Sequence, residues 1–225
     1  IADDGALGIP ADLVRHSGSG PHPGRQEGPH AHSATFTPDG AFVIIADLGI
    51  DALMVYRLDA DTGRLSLSAQ AATEPGAGPR HLAVHPDGNT IYVANELGNT
   101  VSVYAYDGAG GLTHRQTLPS LPPGAPENTI ADIHLDEAGA RLYVSNRGHN
   151  SIAVYNVADS GELTLIATPA CGGSWPRNFA VAPGNAHVLV ANQRSDGVMV
   201  LPITSDDTAL GAPVALATMP TPACV

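Results

Sequence analysis

Residues 78–104 read GPRHLAVHPDGNTIYVANELGNTVSVY. Three apolar runs, HLAV (81–84), TIYVAN (90–95) and TVSVY (100–104), are separated by two short turn-forming stretches, HPDGN and ELGN. Runs of β-branched and aromatic residues bounded by Pro, Asp, Gly and Asn predict strands joined by tight turns. Glycine at the end of Pro86-Asp87-Gly88 supplies the positive φ that such a turn needs. Two residues stand apart from this simple reading. Arg80 lies at the mouth of the first strand and Glu96 just past the end of the second, sixteen positions later.

The pattern of this stretch recurs along the chain. Second strands read AFVIIADL (41–48), TIYVANEL (90–97), RLYVSNRG (141–148) and HVLVANQR (187–194). Third strands follow as ALMVYRLD (52–59), TVSVYAYD (100–107), SIAVYNVA (151–158) and GVMVLPIT (197–204). First strands precede them as HSATFTP, HLAVHP, ADIHLD and NFAVAP, and weaker fourth strands close the units as RLSLSAQAA, GLTHRQTL, ELTLIATPA and APVALATM. Four antiparallel strands at a period of roughly 40–50 residues is the signature of propeller blades. The runs are apolar without alternation, which fits sheets buried on both faces between neighbouring blades. The expected architecture is therefore all-β, a single β-propeller domain over residues 1–225, with units at about 32–79, 80–130, 131–176 and 177–225. Residues 1–31 read as the tail of a preceding unit followed by a loop. About four and a half blades are fewer than a closed wheel of this blade size uses, so the chain is expected to be the C-terminal part of a longer protein, with apolar blade faces exposed at both ends.

The bulk numbers narrow the function classes. Among 225 residues, 43% are hydrophobic and 14% charged, which excludes disorder as the default. All ten basic residues are Arg, and the net charge is −12. That balance argues against nucleic acid and against an anionic membrane surface as partners. No apolar run approaches the ~20 residues of a membrane-spanning helix. Cys171 and Cys224 read as two free thiols in a cytoplasmic protein rather than a disulfide.

A tight hairpin puts the start of its first strand and the end of its second at the same end of the blade. In a propeller that end of the first strand lies on the rim of the central channel. Alignment on Asp47, Asn95, Asn146 and Asn192 gives rim pairs His32 with Leu48, Arg80 with Glu96, Ala131 with Arg147, and Arg177 with Gln193. The strands around them repeat, yet these two columns vary, and they hold three of the ten arginines of an acidic protein. An exposed Arg80–Glu96 pair by itself would be a surface salt bridge of little energetic weight. Convergence of His32, Arg80, Glu96, Arg147 and Arg177 on one face instead predicts a site. The repeating Asp47, Asn95, Asn146 and Asn192 are read as structural, bonding the backbone of the following turn. His16, His22, His30 and His32 match no tight metal-ligand spacing; no metal and no other cofactor is expected, and the stretch SGSGPHPGRQEGPHAH is read as a rim loop. His81, His85, His114, His134, His149 and His187 are read as surface or turn residues, and Trp175 as filling a gap between blades, with a wall of the funnel as the alternative.

The stretches RQEGPHAHSATFTPDG, DLGIDALMVYRLD, GAGPRHLAVHPDG, YVANELGNTVSVY and LYVSNRGHNSIAVY resemble the propeller lactonase family, which includes bacterial 6-phosphogluconolactonases of seven blades and fungal carboxymuconate-cyclising enzymes. The resemblance covers nearly the whole chain. It implies His32, Arg80, Glu96 and Arg147 as catalytic residues, the same positions that the rim columns select. Arg177 and Gln193 are added from the columns alone, as substrate contacts beside Arg80 and Arg147.

The implied reaction is hydrolysis of an anionic sugar lactone, with 6-phosphogluconolactone as the substrate that the resemblance suggests. Guanidinium forks suit phosphate or carboxylate, and one of them can also steady an oxyanion. The residue types favour Glu96 as base toward water and His32 as proton partner to the ring oxygen. No Gly-x-Ser-x-Gly elbow is present, so direct attack by water is simpler than a covalent route. Two alternatives remain open at this level: cyclisation of an unsaturated dicarboxylic acid to a lactone, and a propeller that only binds a partner on its rim.

Overall fold

The computed structural model describes residues 4–204 and 209–225, and the regular structure among them is β-strand. The first sheet holds β1 (Ala31–Phe36), β2 (Phe42–Asp47), β3 (Ala52–Leu58) and β4 (Leu65–Ala72). The second holds β5 (Pro79–Val84), β6 (Thr90–Asn95), β7 (Thr100–Tyr106) and β8 (Leu112–Pro119). The third holds β9 (Thr129–Leu135), β10 (Arg141–Arg147), β11 (Ser151–Val157) and β12 (Leu163–Ala167). The fourth holds β13 (Pro176–Val181), β14 (His187–Asn192), β15 (Gly197–Pro202) and β16 (Val214–Thr218). Each sheet is an antiparallel meander in sequence order. The first strands touch one another in succession, β1 with β5, β5 with β9 and β9 with β13, so they line the hub of the wheel.

Burial explains the unbroken apolar runs. Every residue of β6 is buried. Tyr92 and Ala94 pack toward the third blade with Ile130, Val144 and Tyr155. Ile91 and Val93 pack toward the first with Ile44, Leu53 and Val55. Successive side chains of a strand point to opposite faces, and here both faces meet a neighbouring sheet. The hairpin glycines Gly40, Gly88, Gly139 and Gly184 all adopt positive φ, between 68° and 78°.

Tyrosine hydroxyls tie blade to blade. Tyr92 of the second blade donates to Gly161 O of the third at 3.0 Å, and Tyr155 of the third donates back to Pro119 O at 3.0 Å. Tyr92 is fully buried, so its loss leaves a buried carbonyl without a donor. Tyr92→Phe is expected to cost about 1–2 kcal/mol and to lower the melting temperature by roughly 2–6 °C, with the hub untouched. Thermal denaturation followed by circular dichroism checks this.

The two ends of the array differ. On the first blade, residues 12–16 lie over the outer face: the His16 ring stacks on Tyr56, and Asp12 accepts from Leu65 N at 2.9 Å. On the last blade, Val214 and Leu216 of β16 and the nearby Met219 are exposed, as are Leu7, Ile9 and Leu13 at the other end. Among the described residues, large apolar side chains are thus exposed at both ends of the array.

One irregularity recurs at the hub. Ala31 pairs with Asp47 and Ser33 with Ala46, which leaves His32 without a partner. Arg80 falls in the same gap between the pairs Pro79↔Asn95 and His81↔Ala94, and Arg177 between Pro176↔Asn192 and Asn178↔Ala191. In the third blade Ile130↔Asn146 and Ile133↔Val144 enclose Ala131 and Asp132 opposite Ser145. Each first strand therefore bulges at its channel end. A bulge bends its strand and re-aims a side chain, and here it does so at the column that carries the chemistry.

Candidate active site

Arg80, Glu96 and Arg147 form one buried ion cluster, with residue exposures of 3%, 3% and 5%. That burial removes them from the class of weak exposed pairs. Glu96 Oε2 lies 2.9 Å from Arg80 Nε and 3.0 Å from Arg147 Nη2. Its other oxygen, Oε1, accepts from Arg25 Nη2 at 2.6 Å. Backbone carbonyls pin both inner guanidiniums: Arg80 Nη1 donates to Ala131 O at 2.6 Å, and Arg147 Nη2 to Ile130 O at 2.7 Å. Hairpin geometry sets this up, because Glu96 N donates to Gly78 O at 2.7 Å and so holds the end of β6 beside the start of β5.

The electrostatics follow from burial and crowding. Burial pushes Arg80 down to about 10, and Arg147 and Arg177 press in the same direction while Glu96 resists. Burial lowers Arg147 too, against the attraction of Glu96. For Glu96 burial favours the neutral acid, but Arg147, Arg25 and Arg80 outweigh it and hold the carboxyl below its ordinary value. His32 packs edge-on against His81, with ring centroids 5.2 Å apart, and lies 5.6 Å from His30. Burial first, then the positive field of Arg80, brings His32 down to about 4. Its imidazole is therefore neutral at physiological pH, and its buried Nδ1 has no hydrogen-bond partner among the described residues.

The sequence-selected residues thus converge. His32, Arg80, Glu96 and Arg147 sit together, and Arg177 lies close enough for its charge to act on both inner arginines. Gln193 follows β14 on the rim, where its N–H donates to Trp175 O at 3.0 Å. The two apolar rim positions, Leu48 and Ala131, are fully buried. The column of Asp47, Asn95, Asn146 and Asn192 is buried, and its bonds are structural. Asp47 accepts from Gly49 N of the following turn, as expected, whereas Asn95 bonds the Thr100 and Ser102 hydroxyls and Asn146 the Ser120 hydroxyl instead. No group of three or more His, Cys, Asp or Glu among the described residues is arranged to hold a metal.

Two sequence readings need correction. His81 is not a surface or turn residue: it lies on the inner strand β5 and bonds Asp132 at 2.7 Å. His134, on β9 with its side chain 41% exposed, bonds the same carboxylate at 3.1 Å. Trp175 does not fill a gap between blades. It is half-buried with φ of 64°, Asn150 Oδ1 holds its N–H at 2.8 Å, and its ring carries the Arg194 guanidinium at 3.4 Å and Arg147 at 5.6 Å. With Arg147, His22, Leu97 and Asn128 it walls a rim cleft of about 490 Å³, within the usual range for small-molecule pockets. Arg25, from the expected rim loop, was missed as a member of the cluster. Asp132 was missed as well, although Ser33, His81, Asp132 and Asn178 form a polar column just inside the rim in all four units.

Comparisons with known proteins bear on the family and the fold. A family model described as lactonase, 7-bladed beta-propeller, matches residues 1–225. The 6-phosphogluconolactonase of Bacillus subtilis is 36% identical over 228 residues, covering 100% of this chain and 64% of that protein. A solved structure of a protein from Lactobacillus plantarum superposes with a TM-score of 0.94 at 38% identity, over 100% of this chain and 65% of that one. The periplasmic gluconolactonase PpgL of Pseudomonas aeruginosa gives a TM-score of 0.92 at 34% identity, over 99% and 63%. The chain thus spans a little under two thirds of the length of these relatives.

Proposed function

We propose that this chain, which belongs to the seven-bladed β-propeller lactonase family, supplies the hub of an enzyme that hydrolyses an anionic sugar lactone, 6-phosphogluconolactone above all. One observation carries the reading. A buried carboxylate is shared by three guanidiniums, beside a neutral imidazole with an unpartnered nitrogen. Such a cluster holds more positive charge than Glu96 cancels, in a protein of net charge −12. An anion is the natural occupant.

The roles follow from position. Arg147, beside the Trp175 cleft, together with Arg177 and the rim residue Gln193, holds the phosphate end of the substrate. Arg80, next to His32, faces the lactone carbonyl and steadies the oxyanion as water attacks. Residue types alone favour Glu96 as the base, but three guanidiniums on its two oxygens suppress its proton affinity. His32 is neutral and free, so it takes the proton from the attacking water and returns it to the ring oxygen as the C–O bond breaks. The product is the open-chain sugar acid, and no cofactor enters the balance. Glu96 keeps the arginines in register. Anionic substrate offsets their charge and so raises the basicity of His32 when it is needed.

A phosphorylated substrate accords with a cytoplasmic location, since phosphorylated sugars are held inside cells by their charge. Among the described residues no helix is long and apolar enough to cross a membrane. The deciding experiment is turnover of 6-phosphogluconolactone and of unphosphorylated gluconolactone by the full-length protein. A preference for the phosphorylated lactone supports the reading. Cyclisation of a carboxymuconate without lactone hydrolysis makes the protein a cycloisomerase, and turnover of neither makes it a binding scaffold. The same assay tests His32. As the base it works while unprotonated, so log kcat/KM is expected to stay level as pH falls through 6.5 and to decline only around pH 4. Read on unphosphorylated gluconolactone, which has no phosphate titrating near pH 6, a decline centred between pH 6 and 7 contradicts the assignment.

A further inference from the structure

Below the arginines lies a second polar group that the reaction does not touch. Arg80 Nη1 is 3.0 Å from His81 Nε2, and His81 Nδ1 is 2.7 Å from Asp132 Oδ1. A guanidinium nitrogen only donates, so His81 Nε2 is the acceptor. The imidazole proton then sits on Nδ1 and is donated to Asp132. The contacts alone fix the tautomer.

Asp132 is built to stay ionised. It is 2% exposed, and its Oδ2 faces His134 Nε2 at 3.1 Å, Asn178 Nδ2 at 2.5 Å and Phe179 N at 3.2 Å. Burial opposes the charge, but the bonds from His134 and His81 prevail and hold the carboxyl far below its ordinary value. The group is also a brace across the wheel, with His81 on β5, Asp132 on β9, and Asn178 and Phe179 on β13.

Arg80 is consequently held on three sides. Nη1 spends one hydrogen on Ala131 O and the other on His81, and Nε is paired with Glu96 by charge at 2.9 Å without hydrogen-bond alignment. The remaining terminal nitrogen, Nη2, has no hydrogen-bond partner among the described residues. We propose that Asp132 and His81 are positioning residues, an orienting pair that fixes the Arg80 guanidinium so that Nη2 is presented into the hub. This rests on the hydrolase reading only for what Nη2 meets there, the carbonyl oxygen of the lactone. Preorganised donors act because they need no reorientation during the reaction, and a guanidinium free to turn loses that advantage.

The test uses the full-length protein. His81→Leu removes the acceptor and is expected to lower kcat by about 10–100-fold, for phosphorylated and unphosphorylated lactone alike, with KM within about twofold. His81→Gln can place its Oε1 near the former Nε2 and is expected to recover most of the loss. His81→Leu also strips a partner from the buried Asp132 and is expected to melt below the parent protein, so kcat is compared on the folded fraction at the assay temperature; His81→Gln is expected to melt closer to the parent. A kcat loss that merely tracks a fall in melting temperature, or no recovery with Gln, overturns the proposal. Nitrogen-15 NMR of the His81 imidazole gives a readout independent of turnover. A proton on Nδ1 with Nε2 bare supports the orienting pair, even if the protein hydrolyses no lactone and the hydrolase reading falls. A proton on Nε2 overturns the pair, even in an active enzyme.

Discussion

Arg147→Ala is expected to lower kcat/KM for 6-phosphogluconolactone by about 10²–10³-fold, chiefly through KM, and to leave unphosphorylated gluconolactone far less affected. The size reflects a charge-assisted fork lost from a dry site, where such contacts are stronger than in water. Arg147 is 5% exposed, pinned by Ile130 O and shared with Glu96 through the same Nη2. Arg147 lines the Trp175 cleft, where a ligand can meet its guanidinium. The loss is not a folding defect, because Glu96 keeps Arg25 on one oxygen and Arg80 on the other. Arg147→Lys keeps the charge but not the fork and is expected to recover only part of the affinity. Steady-state kinetics on the two lactones decides the matter. Equal losses on both would remove the phosphate from the Arg147 end of the site.

His32→Gln is expected to act on the other kinetic constant. A lost general base costs about 10²–10⁴-fold in kcat, and KM should barely move because His32 does not hold the anion. Glutamine has a similar reach and no basicity at neutral pH, so the cluster around it should persist. Glu96→Gln is the informative partner variant. It leaves three guanidiniums without their shared counter-ion, so its damage is expected mainly in the binding of substrate and in the placement of the arginines. If Glu96→Gln instead shows the larger kcat defect and His32→Gln a small one, the base is Glu96 and the two roles exchange.

The wheel was legible because its signal is carried many times over. Four copies of the strand-turn-strand pattern, each with glycine in the same hairpin, leave little freedom in where the sheets begin and end. The candidate rim site stood out for the opposite reason: His32 differs from Arg80 in one column and Glu96 from Arg147 in the other, where the surrounding positions agree. What stayed hidden depends on distance in space. Arg25 lies 71 positions from Glu96, in a loop with no strand pattern, yet bonds it directly. His81 and Asp132 are 51 positions apart on different blades, and a lone His in an apolar strand carries no mark of its partner. The proposed roles of Glu96 and His32 differ from what residue type suggests for a related reason. Basicity is set by burial and by the arginines nearby, and residue type reveals neither.

The bulge at the channel end of each first strand bears on how such a molecule changes over evolutionary time. His32, Arg80 and Arg177 are supernumerary in their ladders, so the register of the sheet does not depend on which amino acid stands there. A single codon change at one of these spoke heads exchanges an imidazole for a guanidinium, or a charge for a methyl as at Ala131, while the pairing of the strands is left alone. Register and chemistry are inherited on separate positions, and a lineage built this way can try a new substrate without first re-pairing its sheets.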